Sequence, residues 1–227
     1  MMPIEVKEPT PIEEVASYKP EKSWNYEVGA HLSTPSHKVQ ADLALFYIDC
    51  RDQQLTVFPE GQVTGRLMTN AGRTRSFGGE ASLLATLWRN LDLQVAYGYT
   101  RATFVKFDTG KADYAGNFIP YAPQHTLYAG ASYTLRTGWN WLEYVIFRVA
   151  ANGAGRIYWN EANTFSQPFY ALLEASIRFE HRHWAVDVWG RNLTDTRYDT
   201  FYFMSIGNSF LQRSRPRTFG VSLSITL

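Results

Sequence analysis

The sequence predicts an all-β chain that forms about nine strands of an antiparallel transmembrane β-barrel. Three observations support this fold class: apolar and polar residues alternate in successive segments, aromatic residues make up 15% of the chain, and short turns alternate with long loops. The mean hydropathy of −0.29 is that of a chain with much polar surface. Such a value fits strands that face lipid on one side and water on the other.

The clearest strand is the C-terminal segment, residues 217–227. Because successive side chains of a strand point to opposite faces, this segment has one apolar face and one small, polar face. A tilted barrel strand needs about 9–11 residues to cross a membrane, so the segment is long enough. Its alternating apolar residues are Phe219, Val221, Leu223, Ile225 and Leu227.

Earlier segments repeat this alternation and are separated by turn residues. In chain order they are residues 24–32, 39–57, 74–88, 91–100, 125–136, 139–151, 169–179 and a strand that opens at Trp184. The pattern assigns no faces to residues 139–151. Glu80, Glu174 and Arg178 fall on the polar side of their strands, where a charge avoids the cost of contact with lipid.

Tryptophan residues mark one end of the predicted barrel. Three successive short turns are flanked by Trp88, by Trp139 and Trp141, and by Trp184, whereas the long loops lie at the opposite strand ends. Aromatic girdles at the membrane interfaces, with short turns on one side and long loops on the other, are typical of outer-membrane barrels.

Composition and motifs exclude several other classes of protein. A net charge of +1 argues against nucleic acid as a partner. The longest apolar run, residues 43–48, is too short for a membrane helix. His181 and His183 lie near a predicted turn without a third metal ligand, and no catalytic motif is present. We therefore predict no enzyme activity, catalytic residue, metal site or cofactor.

Two alternative folds share the alternating pattern. A soluble lipocalin-like barrel points its apolar face into a core, and strands of about 5–6 residues are enough for it. A small outer-membrane porin or channel would use the same lipid-facing strands without further domains. Segments of ten or more residues favour a membrane barrel over the soluble fold.

The N-terminal residues 1–23 are rich in proline and glutamate and are interpreted as a linker or loop. They lack the apolar core of a secretion signal. Single-chain outer-membrane barrels have even numbers of strands, so a count of nine predicts a chain that begins within a barrel. Residues 24–227 would then form the C-terminal portion of that barrel.

Five segments resemble, in order, the barrel domain of TonB-dependent outer-membrane receptors. The most specific is Asn192-Leu193-Thr194-Asp195-Thr196-Arg197-Tyr198, which is similar to the family signature "NL-x-D-x-x-Y". The others are Tyr26-Glu27-x-Gly29, Phe46-Tyr47-Ile48-Asp49 with Asp52-Gln53-Gln54, Asn70-Ala71-Gly72 with Ser76 and Gly79-Glu80, and the segment at residues 119–126.

This resemblance implies a barrel of 22 strands around an N-terminal plug, of which the chain would supply the last nine. It implies uptake of a large nutrient, most often an iron–siderophore complex, across the bacterial outer membrane. The implied partners are outer-membrane lipid, a small-molecule ligand such as a ferric siderophore, and an inner-membrane energising complex acting through a plug that has no counterpart here. No covalent chemistry and no nucleic acid are implied.

The long loops contain the candidate ligand-binding residues. Aromatic rings with a few cations can hold a bulky anionic chelate, although rings in loops also pack on one another. The candidates are Tyr114, Phe118, Tyr158, Trp159, Phe201, Tyr202 and Arg213. Four residues of the family-like motif, Asn192, Leu193, Asp195 and Tyr198, are predicted to be structural, because short Asn and Asp side chains cap turns.

Overall fold

The computed structural model describes residues 19–57, 67–88, 90–109, 112–205 and 208–226, and within them all regular structure is β-strand. The strands are β1 Lys22–Ser33, β2 Val39–Val57, β3 Leu67–Thr86, β4 Leu91–Lys106, β5 His125–Trp139, β6 Leu142–Gly155, β7 Ile157–Tyr158, β8 Ser166–Gln167, β9 Tyr170–His181, β10 Trp184–Arg191, β11 Asp199–Ser205, β12 Asn208–Arg213 and β13 Thr218–Ile225.

Nine of these strands form one antiparallel sheet in the order β1-β2-β3-β4-β5-β6-β9-β10-β13. The remaining four form two-stranded ribbons, β7–β8 and β11–β12, inside long loops. The predicted fold class and the nine strands of the wall are thus confirmed, with open edges at β1 and β13 among the described residues. No helix in the described ranges is long and apolar enough to cross a membrane.

The strand register places the alternating apolar residues of the sheet on one common face, which we call the apolar face. Tyr133 lies opposite Phe147, Phe147 opposite Ile177, and Ile177 opposite Val188, which in turn lies opposite Val221. The register therefore gives β6 the orientation that its sequence pattern did not, because its neighbours on both sides fix which residues share a face.

The apolar face is exposed rather than packed into a core. Phe219 and Val221 are each 69% exposed, and Leu223 is 65% exposed. Soluble proteins rarely leave so large an apolar surface uncovered. Such a face is what a barrel wall presents to lipid.

The opposite, polar face carries a network of charged side chains near the middle of the sheet. Arg178 donates hydrogen bonds to Glu180 at 2.6 Å and to Asp187 at 2.7 Å. Glu80 and Glu174 lie on the same face, as the alternation predicts. A cavity of about 560 Å³ opens on this face and is lined in part by Arg148, Glu174 and Asp187.

The short-turn end of the sheet is rich in exposed tryptophan. Trp88 is 77% exposed, and Trp139 stacks on Trp141 with ring centroids 5.3 Å apart. Trp184 opens β10 at the same end, opposite His181. This arrangement agrees with an interfacial girdle.

Several strands differ from the bounds that the alternation predicts: β5 continues to Trp139, and β6 spans Leu142–Gly155 rather than residues 139–151. The two largest extensions are in β3 and β4. β3 begins at Leu67 rather than Thr74, and β4 continues to Lys106 instead of ending near residue 100. A register shift between Arg73 and Thr74, opposite Phe104 and Lys106, interrupts the ladder at the start of the β3 extension and within the β4 extension. Side-chain alternation therefore does not continue smoothly across it. β1 likewise begins at Lys22, two residues before the predicted strand.

Candidate ligand-binding loops

Among the connections that the structure describes, three long loops leave the sheet at the end opposite the tryptophan turns. We name them by the strands they join: loop 4–5 (residues 107–124), loop 6–9 (residues 156–169) and loop 10–13 (residues 192–217). Each contains rings that contact another loop, so their positions are set jointly.

Loops 4–5 and 6–9 are joined by a side chain that mimics a strand partner. The Asn163 amide oxygen accepts a hydrogen bond from the Phe118 backbone N–H at 2.6 Å, and its nitrogen donates to the Phe118 carbonyl at 2.9 Å. Nearby, the Asn117 amide donates to the Glu161 carbonyl at 2.9 Å. Asn163 adopts a positive φ of 56°, which asparagine tolerates better than most residues.

Backbone hydrogen bonds extend this connection toward the sheet. The Tyr121 N–H donates to the Tyr158 carbonyl at 2.8 Å, and the Gln124 N–H donates to the Arg156 carbonyl at 3.0 Å. Loop 6–9 therefore lies along loop 4–5 as an added strand does.

Loop 10–13 is attached to both other loops. The Tyr121 hydroxyl donates to the Tyr202 carbonyl at 2.9 Å, and the Asp199 N–H donates to the side-chain oxygen of buried Gln167 at 2.8 Å. Tyr170 at the start of β9 stacks on Tyr198 with ring centroids 3.8 Å apart. These contacts combine the three loops into one unit.

Aromatic rings fill the space between the loops, and we call this set the aromatic cluster. It contains Phe118, Tyr121, Tyr158, Trp159, Phe165, Phe201, Tyr202, Phe203 and Phe210. Phe118 stacks on Tyr158 at 5.2 Å, and Phe165 stacks on Tyr202 at 4.6 Å. Offset ring pairs of this kind stabilise packing beyond the area that they bury.

The seven predicted ligand-binding residues occupy different positions in this arrangement. Trp159 and Tyr202 are buried, at 8% and 4% exposure, and pack within the aromatic cluster. Tyr114 contacts Phe107 in a separate small core at the base of loop 4–5. The half-buried residues are Phe118, Tyr158 and Phe201, and Arg213 is exposed.

Several residues that shape the site were missed by the sequence reasoning. Tyr121, which is 45% exposed, connects Trp159 with Phe201 through ring contacts. The Arg101 guanidinium lies 5.6 Å from the centre of the Phe118 ring. The only sequence signal for Tyr121 is its place in the segment, residues 119–126, that resembles the family. For Asn163 the sequence gives no signal, because nothing local distinguishes it from any other loop asparagine.

No group of three or more His, Cys, Asp or Glu residues in the described parts of the chain could hold a metal ion. Among the groups that the described loops carry are aromatic rings, amides and guanidinium groups. These groups bind ligands without forming covalent bonds.

Comparison with known proteins decides the family. A family model described as TonB dependent receptor-like, beta-barrel, matches residues 9–193. The chain belongs to this family. The match includes part of the N-terminal segment that the sequence suggests as a linker, and it confirms the resemblance drawn from the five motifs.

Curated relatives of this TonB-dependent receptor chain include pesticin receptors. The one from Yersinia pestis is 28% identical over 211 residues, which cover 90% of this chain and 29% of the relative. The one from Yersinia enterocolitica is 29% identical over the same shares of the two chains. The chain thus spans less than a third of the length of the curated relatives it matches.

Solved structures show the same fold. The ferric yersiniabactin uptake receptor from Yersinia pestis superposes with a TM-score of 0.75 at 25% identity, covering 90% of this chain and 30% of that one. The ferric preacinetobactin receptor from Acinetobacter baumannii gives 0.68 at 19% identity, covering 91% and 30%. These relatives are outer-membrane transport receptors and not enzymes.

The family-like segments have specific structural contacts in this receptor chain. The Asn192 side chain accepts a hydrogen bond from the Thr196 N–H at 2.9 Å and donates to the carbonyls of Thr196 and Arg215. Asp195 accepts from the Arg217 N–H at 2.9 Å. The motif therefore fastens the start of loop 10–13 to the entrance of β13.

The other two motif residues hold the same loop to the sheet. The Leu193 N–H donates to the Leu173 carbonyl at 2.8 Å, and the Leu193 carbonyl accepts from the Arg217 guanidinium at 3.3 Å. The Tyr198 N–H donates to the Ser214 hydroxyl at 3.2 Å. These contacts position both ends of loop 10–13 close together.

Proposed function

We propose that this chain is part of a bacterial outer-membrane receptor for TonB-dependent uptake of an iron–siderophore complex. The observation that carries the proposal is the aromatic cluster, in which rings from three long loops meet at one end of a barrel wall. A ferric yersiniabactin uptake receptor among the similar structures supports the same ligand class.

In this proposal some loop rings contact the ligand and others support those rings. Phe118, Tyr158 and Phe201 are half-buried and can present ring faces to a ligand, whereas Trp159 and Tyr202 are buried and would hold those rings in place. A ferric chelate is bulky and often anionic, so rings supply contact area and cations supply charge complementarity.

Exposed Arg213, at the end of β12, is suited to the anionic part of such a ligand. The donors of a guanidinium lie in the plane of the group, where they match carboxylate or catecholate oxygens.

The polar face would line the passage beneath the loops. Its cavity exposes acidic, basic and amide side chains, which suit a hydrated path rather than a lipid contact. Energy for transport would come from an inner-membrane complex acting on a plug domain carried by another part of the receptor. The step is movement without covalent chemistry.

Ligand binding by loop variants tests this proposal. We expect Tyr158→Ala and Phe118→Ala in the complete receptor to weaken binding of the recognised ⁵⁵Fe-labelled chelate by about tenfold, since each removes a ring worth about 1–3 kcal/mol of contact. The probes are ferric complexes of yersiniabactin, preacinetobactin, a catecholate, a pyoverdine and citrate. Tyr133→Ala on the apolar face is the matched control.

Unchanged affinity in both loop variants would contradict the placement of the binding site. If the receptor binds none of the chelates but conducts small solutes in planar bilayers, the porin alternative is favoured. The lipocalin-like alternative requires an enclosed apolar core, whereas the apolar face of this sheet is exposed.

A further inference from the structure

The apolar face ends, on its loop side, in a row of aromatic rings. Tyr26 lies opposite Tyr47, and Tyr47 lies opposite Phe77, so the three rings cross β1, β2 and β3 at one level. The Tyr26 and Tyr47 ring centroids are 6.4 Å apart. Tyrosine at such a level is typical of the boundary between hydrocarbon and headgroups.

Basic residues occupy the same face from this row outward. Lys22 lies opposite Arg51, and Arg51 lies opposite Arg73, so cations from three adjacent strands stand side by side. Arg75 is one alternate position closer to the rings, and Arg101 lies opposite Phe77 in the ring row itself. We call these five residues the basic rim.

One carboxylate stands among these five cations. Asp49 accepts two hydrogen bonds from Arg73, at 2.6 and 3.1 Å, and is itself largely buried, with 14% of its side chain exposed. Within the described ranges, Lys22, Arg51, Arg75 and Arg101 form no salt bridge within 4.0 Å, and all four are exposed. Like charges directly opposite each other across strands repel, so the rim is unbalanced without an anion.

We propose that the basic rim binds the phosphate groups of a phosphorylated glycolipid in the outer leaflet of the membrane. The inference rests on the proposed placement of the barrel in the outer membrane. Lipid phosphates lie just beyond the acyl chains, at the height where the rim follows the aromatic row, and arginine forms paired hydrogen bonds with phosphate oxygens. The acyl chains would lie along the apolar face below.

Charge complementarity favours this occupant over the siderophore. The rim lies on the face that points away from the polar-face cavity, so a ligand that passes through the barrel does not meet it. A lipid held there is laterally fixed against β1–β4 and lies outside the passage.

Lipid binding by the purified complete receptor tests the rim. The probe is bis-phosphorylated lipid A in detergent micelles, compared with dephosphorylated lipid A and with inorganic phosphate alone. We expect Arg51→Gln/Arg75→Gln to weaken binding of bis-phosphorylated lipid A by about 25-fold, since each cation near an anionic lipid surface contributes about fivefold. Arg182→Gln, in the turn at the opposite end of the sheet, is the control and should match the wild type.

A second variant raises the net positive charge of the basic rim instead of lowering it. Asp49→Asn removes the single acid and should strengthen binding of bis-phosphorylated lipid A by about fivefold, with no change for the dephosphorylated lipid. Equal affinity of the wild type and both variants for bis-phosphorylated lipid A would contradict lipid binding by the basic rim. Equal affinity of the wild type for the phosphorylated and dephosphorylated lipids would contradict it as well. Competition by millimolar inorganic phosphate alone would identify a free-phosphate site and reject the lipid.

The ferric-chelate measurements keep this test separate from the proposed function. The receptor could fractionate with the outer membrane and bind a chelate while its lipid affinity is unchanged in the rim variants. That result would contradict only the lipid-binding role of the basic rim. A chain absent from outer membranes contradicts the proposed placement itself.

Discussion

Asn163 shows how one polar side chain can position two loops. Its amide makes the donor and acceptor contacts that a strand partner would make with Phe118, and it also donates to the Asn160 carbonyl at 3.0 Å. Phe118 is thereby held where its ring stacks on Tyr158. The position of this ring, which we propose to face the ligand, is therefore set by a residue that has no need to touch the ligand.

Replacing Asn163 tests this positioning role. We expect Asn163→Ala to lose about 1–3 kcal/mol of loop stability, since backbone groups of Phe118 lose their partners. Limited proteolysis should cut loops 4–5 and 6–9 several times faster than in the wild type. Asn25→Ala on β1 serves as a control, and an unchanged cleavage rate in Asn163→Ala would contradict the role.

Asn192 provides a second test at the residue scale. It is 7% exposed, adopts a positive φ of 50° and donates hydrogen bonds to carbonyls at both ends of loop 10–13, those of Thr196 and Arg215. Asn192→Gly keeps the backbone freedom and removes the bonds, whereas Asn192→Ala removes both. We expect the order of thermal stability to be wild type, Gly variant, Ala variant; an alanine variant as stable as wild type would contradict it.

Residue roles were only partly predictable from sequence. Aromatic content located the loops, but it did not separate half-buried Phe118 from buried Tyr202, because exposure depends on which loops meet. Tyr202 is covered by contacts from distant segments, such as Phe165 and Tyr121. Such long-range contacts leave no mark in the local pattern.

At the scale of elements, alternation located the nine wall strands because one face of each strand is apolar and the other is small or polar. It failed for β6, where the run from Ala150 to Gly155 contains only small residues and asparagine, and no apolar period can be read. The neighbours β5 and β9 supply the missing orientation. The ribbons β7–β8 and β11–β12 were missed because they are short and stabilised by loop packing.

Adjacent positions on β6 test the two faces of the wall. Val149 is 44% exposed on the apolar face, whereas Ala150 borders the polar cavity and lies opposite Glu174. We expect Val149→Lys to destabilise the membrane-inserted receptor by about 2–4 kcal/mol near mid-membrane, and Ala150→Lys by much less. Urea unfolding in detergent or lipid vesicles measures both; equal destabilisation would contradict the assignment of faces.

At the scale of the whole molecule, the sheet leaves the outer edges of β1 and β13 without a strand partner among the described residues. Backbone groups at an open edge cannot find water inside lipid, so each costs free energy. We therefore expect the 227-residue chain, produced alone, not to give a heat-modifiable and protease-resistant monomer in detergent. Such a monomer on a semi-native gel would contradict this expectation.

The central claim is that the chain belongs to a receptor that imports a ferric siderophore. The most direct measurement is uptake of the five ⁵⁵Fe-labelled chelates by iron-limited cells with and without the gene, each with and without a protonophore. We predict that one chelate enters only when the gene is present and the inner membrane is energised. Equal uptake of every chelate in both strains would contradict the account.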